Sequence, residues 1–510
     1  MDNIVILDCG SQFTQLIARR IRELKVHSEI LPWNVRVQDV RARSPKGIVI
    51  SGGPRSVLED DAPVIDGDIL RMGVPVLGLC YGMQYICRVM GGSVRSSTRR
   101  EYGRAHIVVV DRESPIYDGV PDRTQVWMSH GDDVEKIPDE TVLLSETDDG
   151  VVAGFRTPDN SILAFQYHPE VAHTEHGSAM LSNFLFSVCR CSGDWNLGDW
   201  IESSVQAIRS SVGDDTVICG LSGGVDSSVA AALVSRALGD RLRCIFVNTG
   251  MMRDREAQEV LESYQAMDLN VRYVDASCRF LKALEGITDP ERKRKVIGEL
   301  FVRVFEEESS NISGARWLLQ GTLYPDVIES GHQGVSAAVI KSHHNVGGLP
   351  EDMDLRVLEP LRDLFKDEVR HIGRLLKVPE AIISRHPFPG PGLAVRCLGE
   401  ITQGKLDILR KADRIYLGEI RKAGLYDQIW QAFAVLLPVY TVGVMGDDRT
   451  YARVLALRAI TSSDGMTAEW FRFPLDVLDR ISTRICNEVP GINRVVYDIT
   501  SKPPATVEWE

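Results

Sequence analysis

Gly78-Leu79-Cys80-Tyr81-Gly82 sets a cysteine between two glycines, after the apolar run Val74 to Leu79 and before the helical run Met83 to Met90. A strand-to-helix turn of this kind forces its central residue into a strained backbone conformation, and the flanking glycines remove the clash. The side chain then projects at the top of the sheet, and the helix N-terminus beneath it favours the thiolate, the reactive form of cysteine. Further along, strand-like Ile162 to Gln166 runs into Tyr167-His168-Pro169-Glu170. A base and a carboxylate two residues apart at a strand end can project to the same side. His168 is therefore a candidate general base and acid, and Glu170 the group that fixes its tautomer and stabilises the imidazolium. Ser51-Gly52-Gly53-Pro54 follows another buried strand. A backbone N–H from that turn, at Gly53, together with the N–H of Tyr81, would hold a developing oxyanion. Taken singly, the cysteine also reads as a buried residue beside a turn, and His-x-Glu as coincidence.

A second segment suited to chemistry is Leu221-Ser222-Gly223-Gly224-Val225-Asp226-Ser227-Ser228, placed between the strand-like Val217 to Cys219 and a helical run. Glycines let backbone approach a phosphate, and successive N–H groups with the helix N-terminus complement its charge. Ser222, Ser227 and Ser228 add hydroxyls. No Gly-Lys-Ser/Thr follows, so this is not the loop that usually cuts between β- and γ-phosphates. Asp226 suits a Mg²⁺-linked residue, because a carboxylate beside polyphosphate otherwise repels it. The bland alternative is a Gly/Ser-rich helix cap with Asp226 in its first turn.

These residues need sheets beneath them. Up to about Cys191, short apolar runs such as Ile4 to Leu7, Gly47 to Ile50 and Val74 to Leu77 alternate with Gly-rich turns and amphipathic stretches, which predicts an α/β domain with a buried sheet. Cys191 to Gly198 is the candidate boundary. A second doubly wound unit follows, with strands near 217–219, 244–247 and 271–274 and ligands expected at their carboxyl ends. Arg385 to Gly392, rich in Pro and Gly, marks another boundary before a smaller α+β module. The expected division is 1–192, 193–395 and 396–510.

At 510 residues, several cores are required. The net charge of −13 argues against broad nucleic-acid binding. The longest apolar runs are strand length, so no membrane span is expected. The start carries no signal-peptide pattern, and ten cysteines without a C-x-x-C pair suggest neither a disulfide scaffold nor a zinc ribbon. The expected location is the cytoplasm.

The elbow, the His-Pro-Glu end and the small-residue turn together resemble the class I (triad) glutamine amidotransferases over the first domain. The resemblance implies that Cys80 attacks the glutamine amide carbon, that ammonia leaves with a proton from His168, and that water hydrolyses the thioester. Gln84, Ser129 and His130 look like glutamine-recognising positions, although each singly is a common surface or capping residue. His130 is a rival base, but lacks a carboxylate at the right offset behind a strand. The Ser-Gly-Gly-x-Asp-Ser loop resembles the ATP pyrophosphatases, which release pyrophosphate and adenylylate a carbonyl oxygen. That implies ATP contacts from Ser222 through Ser228 and, through its backbone, from Val247.

An amidotransferase followed by a pyrophosphatase resembles the glutamine-dependent GMP synthetase family across the whole chain. NAD synthetases share the loop but carry a nitrilase-like amidase, asparagine synthetases use an N-terminal cysteine where this chain has Asp2, and CTP synthetases place the amidotransferase last. Gly321 to Ser330, Ile340 to Asn345, Arg385 to Gly392 and Lys502 to Glu510 look like segments of the GMP synthetases. The resemblance implies a C-terminal dimerisation domain and a homodimer. It implies glutamine, ATP and XMP as substrates, Mg²⁺ with the ATP and no tightly bound organic cofactor. Lys341 would sit in a lid over the phosphates, and Arg294, Lys502 and Glu508 would contact XMP. Arg294 also reads as part of a solvated helix face, His343-His344 beside Lys341 as a metal site, and the terminus as a tail in which Trp509 would be odd. Two rivals stand beside this family: a pyrophosphatase-loop tRNA-modifying synthetase and a non-catalytic amidotransferase-like regulator.

Overall fold

The computed structural model describes residues 2–327, 355–445, 448–462 and 467–510. It divides into two compact units, Met1–Asn196 and Leu197–Glu510.

The first unit is built on nine strands: β1 (Asn3–Asp8), β2 (His27–Pro32), β3 (Gly47–Ile50), β4 (Val76–Leu79), β5 (Ser93–Val109), β6 (Arg123–Lys136), β7 (Val142–Thr147), β8 (Val152–Arg156) and β9 (Ile162–Phe165). Their order is β2-β1-β3-β4-β9-β8-β7-β5-β6. From β2 to β9 the pairings are parallel; from β9 to β6 they are antiparallel. The expected α/β sheet therefore forms, and it is mixed. Ile4, Val5, Ile6 and Leu7 are all fully buried, as unbroken apolar runs must be when helices cover both faces. Helices α1 (Thr14–Glu23) and α2 (Tyr81–Val89) follow β1 and β4.

The second unit opens on a wholly parallel sheet of β10 (Thr216–Leu221), β11 (Leu242–Asn248), β12 (Val271–Asp275), β13 (Ala315–Leu319) and β14 (Arg356–Leu358), in the order β12-β11-β10-β13-β14. Helix α3 (Val225–Leu238) follows β10, and α4 (Pro290–Ser309) lies between β12 and β13. The C-terminal part pairs β15 (Gln431–Met445) with β16 (Asp448–Thr461) as a long antiparallel ladder. β16 also takes β17 (Glu469–Trp470) antiparallel and β18 (Ile492–Tyr497) parallel. Helices α5 (Gln403–Lys422) and α6 (Leu475–Glu488) pack on it. One apolar core runs from Ile218 and Ile245 through Leu393 and Leu406 to Leu455 and Ile481, so both sheets of this unit share their packing. No helix among the described residues is long and apolar enough to cross a membrane.

His386 belongs to that packing. Its ring stacks on Tyr426 with centroids 3.8 Å apart. Nδ1 accepts the Ala432 N–H at 3.3 Å, and Nε2 donates to the Tyr426 carbonyl at 3.0 Å, which requires the neutral ring. Burial, aided by Arg253, pushes its pKa down to about 4. The folded value lies below the ordinary value near 6.5. The stabilisation is therefore complete above about pH 6.5 and is lost as the pH falls toward 4. His386→Gln should flatten this acid limb: between pH 7 and 4.5, urea unfolding should show ~2 kcal/mol less pH-dependent loss than in the wild type. An acid limb of unchanged steepness would exclude His386 as its source.

Candidate functional site

In the first unit, the carboxyl ends of β3, β4 and β9 converge on one thiol. Cys80 follows β4 and caps α2, with φ 52° and ψ −105°, where side-chain-bearing residues are rare. Two glycines permit the turn. A Cβ at Gly78 would lie 2.8 Å from the Gly82 backbone, and one at Gly82 would collide with the Ile50 carbonyl at the end of β3. The Cys80 N–H donates to the Phe165 carbonyl at 2.7 Å, which ties the elbow to the strand that delivers His168.

His168 Nδ1 lies 2.7 Å from Glu170 Oε1, and both residues are buried. The imidazole also hydrogen-bonds Cys80. Burial pushes the His168 pKa down, but the Glu170 charge and the bonds to Cys80 and Glu170 outweigh it and hold the pKa up at about 10. Phe13 meets the ring edge-on at 5.0 Å. The His168 N–H donates to the Trp127 carbonyl at 3.0 Å, and the His168 carbonyl accepts from Thr174 Oγ1 at 2.6 Å. A Cβ at Gly52 would lie 3.1 Å from His168 Cε1 and 3.5 Å from Cys80 Cβ, whereas one at Gly53 would meet the Cys9 carbonyl at 2.7 Å. The turn after β3 thus lies against the thiol, with Gly52 beside both partners.

The remaining glutamine-recognition candidates gather at the same place. Cys80 Sγ donates to the Ser129 carbonyl at 3.5 Å, Gln84 Nε2 donates to the Asp132 carbonyl at 2.9 Å, and His130 Nδ1 lies 3.1 Å from that carbonyl. His130 does have carboxylates nearby. Glu101 Oε2 is 3.4 Å from its Nε2 and Asp133 Oδ1 is 3.4 Å from its Nδ1. Glu101 is its register partner on β5, a neighbour that no offset along a single strand reveals.

In the second unit, β10 ends in a loop that opens α3 at Val225. Gly223 has φ +76°; its N–H donates to Tyr264 Oη at 3.1 Å and its carbonyl accepts from Arg385 Nη1 at 2.7 Å. Ser222 Oγ accepts the Gly224 N–H at 3.3 Å and lies 3.1 Å from Ser227 Oγ. Ser228 is turned inward, donating to the Gly224 carbonyl at 2.7 Å. In the first turn of α3, Asp226 Oδ2 is 3.7 Å from Lys366 Nζ, and its buried Oδ1 has no hydrogen-bond partner among the described residues. Burial raises the Asp226 pKa; Lys366 pulls it down and Asp326 pushes it up. Val247, one residue past the last β10–β11 pair, Leu221↔Phe246, is buried. Lys341 lies outside the described residues.

The three XMP candidates have separate partners around the terminal segment. Arg294 on α4 donates to the Glu510 carbonyl, and the buried Lys293 beside it pairs with Glu510 Oε2 at 2.5 Å. Glu508 pairs with Arg396. Lys502 lines a cleft of about 640 Å³ with Thr461, Ser462, Glu469 and Ser501. Trp509, odd in a mere tail, is 38% exposed and donates its indole N–H to Asp498 Oδ2 at 3.0 Å.

Residues 5–188 match the family described as glutamine amidotransferase class-I, 196–302 that described as NAD synthase, and 418–509 that described as GMP synthase C terminal domain. The chain is 55% identical over 511 residues to the GMP synthase (glutamine-hydrolyzing) of Brachyspira hyodysenteriae, covering 100% of this chain and 99% of that protein. It is 54% identical over 508 residues to the protein of the same name from Aquifex aeolicus, covering 99% of each. The chain belongs to the glutamine-hydrolysing GMP synthase family. It is a ligase of purine biosynthesis that converts XMP to GMP.

Against that family background, the sequence reading missed Gly52, Phe13, Thr174, Tyr264 and Lys366 beside the two sites. The Gly-Gly pair was a visible signal for Gly52. The other four come from distant segments and carry no motif. The steric role of the elbow glycines has a direct consequence. Gly82→Ala must push α2 off β3, so the first unit should melt earlier by the equivalent of ~1–3 kcal/mol. Cys80 alkylation by iodoacetamide should change in rate as its φ relaxes. A variant with wild-type melting and alkylation would show that the close packing is not required.

Proposed function

We propose that the two units divide the reaction, the first releasing ammonia from glutamine and the second activating XMP with ATP. Residues 193–395 act as the pyrophosphatase domain and 396–510 as the XMP-binding and dimerisation domain. The observation carrying the first half is the buried Cys80–His168–Glu170 arrangement on a strained elbow. As His168 takes up the thiol proton, Cys80 Sγ attacks as the thiolate on the glutamine amide carbon, and the oxyanion is received by the N–H groups of Tyr81 and of the Gly53 turn. His168, held protonated with Glu170 behind it, gives its proton to the leaving ammonia, then takes one from the water that cleaves the thioester. Gln84, Ser129 and His130 hold the glutamine.

In the second half, an XMP carbonyl oxygen attacks the α-phosphorus of ATP and pyrophosphate leaves. Ammonia then displaces AMP to give GMP. The N-terminal N–H groups of α3 and the residues from Ser222 to Ser228 receive the β- and γ-phosphates, with Val247 against the adenine and Lys341 assigned to the same phosphates. Asp226 fits Mg²⁺: its buried Oδ1, without a partner among the described residues, suits a hard cation, and Mg²⁺ is commonly held by one or two carboxylates plus substrate phosphates. When bound, the ion would supply charge neutralisation for the leaving pyrophosphate. Arg294, Lys502 and Glu508 contact XMP. A cytoplasmic setting agrees with all ten cysteines being free.

Cys80→Ala should abolish GMP formation from glutamine and leave formation from ammonium salt intact. Asp226→Asn should lower both by roughly a hundred-fold, ~3 kcal/mol, while Cys80 still reacts with a glutamine-like chloroketone. Near-normal pyrophosphate release from the Asp226 variant would remove it from the site, and equal loss of both nitrogen sources in Cys80→Ala would overturn the division of labour.

The homodimer finds support on the β15–β16 ladder. Val442 and its register partner Tyr451 are exposed, as are Tyr440 and Val444 on the same face of β15, an apolar row that a second copy would cover. Val444→Asp together with Tyr451→Asp should shift sedimentation to the monomer. An unchanged sedimentation coefficient would exclude this face.

A further inference from the structure

Arg396 is fully buried, which is costly for a guanidinium unless its charge and N–H groups are matched. Its Nε and Nη2 form a two-pronged pair with Glu508, at 3.1 Å to Oε2 and 2.8 Å to Oε1. The plane of the fork is set by Phe433 and Phe388, whose ring centroids lie 4.1 and 5.0 Å from Arg396 Cζ. Gln431 Nε2 adds a bond to Oε1 at 2.8 Å. An ionised carboxylate offers about four lone-pair positions. Two bonds on Oε1 and one on Oε2 leave about one of these, on Oε2, and the Glu508 side chain is 17% exposed. The neighbouring backbone is held as firmly. The fully buried Arg458 donates to the carbonyls of Val507 and Thr506, each at 2.8 Å.

We propose that Arg396 is a positioning residue for XMP, fixing Glu508 in place and in plane so that the remaining Oε2 lone pair meets the acceptor nucleotide. This rests on the reading of Glu508 as an XMP contact. The fork decides the role: a lysine would match the charge, but as a point donor it cannot set the plane of the carboxylate. The rival is a brace that merely locks the terminal segment to the core.

Steady-state GMP synthesis from ammonium salt separates these readings, because it bypasses Cys80. Arg396→Lys should raise the KM for XMP roughly ten-fold, as for one misplaced charge-assisted hydrogen bond. Its kcat, ATP dependence and glutamate release should stay near wild type. Glu508→Gln should raise the same KM, and the double variant should be no worse than Glu508→Gln, because Arg396 then has nothing left to position. Phe433→Leu, which removes one supporting ring and keeps the charge, should move the XMP KM in the same direction and covers the case in which Arg396→Lys does not fold. An unchanged XMP KM in Arg396→Lys or Phe433→Leu beside a raised one in Glu508→Gln would overturn the proposal. So would additive losses in the double variant with a lowered melting temperature. An unchanged KM in Glu508→Gln itself would instead remove the reading of Glu508 on which the proposal stands.

Discussion

Glycine 82 packs so closely on the Ile50 carbonyl that a side chain there has no room. That contact presses α2 onto the end of β3 and leaves Cys80 no relaxed way to join β4 to the helix. A non-glycine residue at φ 52° costs on the order of 1–3 kcal/mol and persists only where its surroundings over-determine it. Here they do: the Cys80 N–H is tied to β9, the glycines on either side meet each other, and α2 is buried along most of its length. The strain lifts the thiol above the sheet edge and into reach of His168.

The second unit solves a related problem with a softer turn. Its loop also joins a parallel strand to a helix, but the left-handed residue is Gly223, which carries no such strain. The elbow aims one side chain, whereas this loop aims backbone N–H groups. The side chains that could compete are largely occupied among themselves, Ser222 with Ser227 and Ser228 with the Gly224 carbonyl and Tyr264. Asp226 stands apart, half-buried in the first turn, with its buried Oδ1 lacking a hydrogen-bond partner among the described residues. A carboxylate oxygen kept from water without a partner is expensive to keep, and this supports the proposed Mg²⁺ role of Asp226.

Buried cations organise the far side of this unit. Lys293, Arg396 and Arg458 are fully buried, and each reaches the segment from Asp498 to Glu510. Carboxylates and carbonyls of that segment accept from all three, with the Ala394 and Cys397 carbonyls adding to Lys293, so much of the core's need to match buried charge is met by ordering the terminus.

The motifs from which both candidate sites are read, and the α/β sheets beneath them, were legible in the sequence because each motif is short and contiguous; the antiparallel half of the first sheet was not. A cysteine between glycines after an apolar run, or Ser-Gly-Gly-x-Asp-Ser after a strand, fixes local backbone and local charge within a handful of residues. What the chain alone did not show are the pairings that only folding creates. Glu101 reaches His130 across two strands, and the antiparallel half of the first sheet sets that register. Arg396 meets Glu508 over a separation of 112 residues. Trp509 stays at the surface because Asp498 takes its indole N–H there. Local motifs determine which groups can react, since backbone strain and helix ends act over one turn of chain. Which charges face each other was decided by tertiary structure, because a buried charge must find its partner wherever the fold brings one within hydrogen-bonding distance.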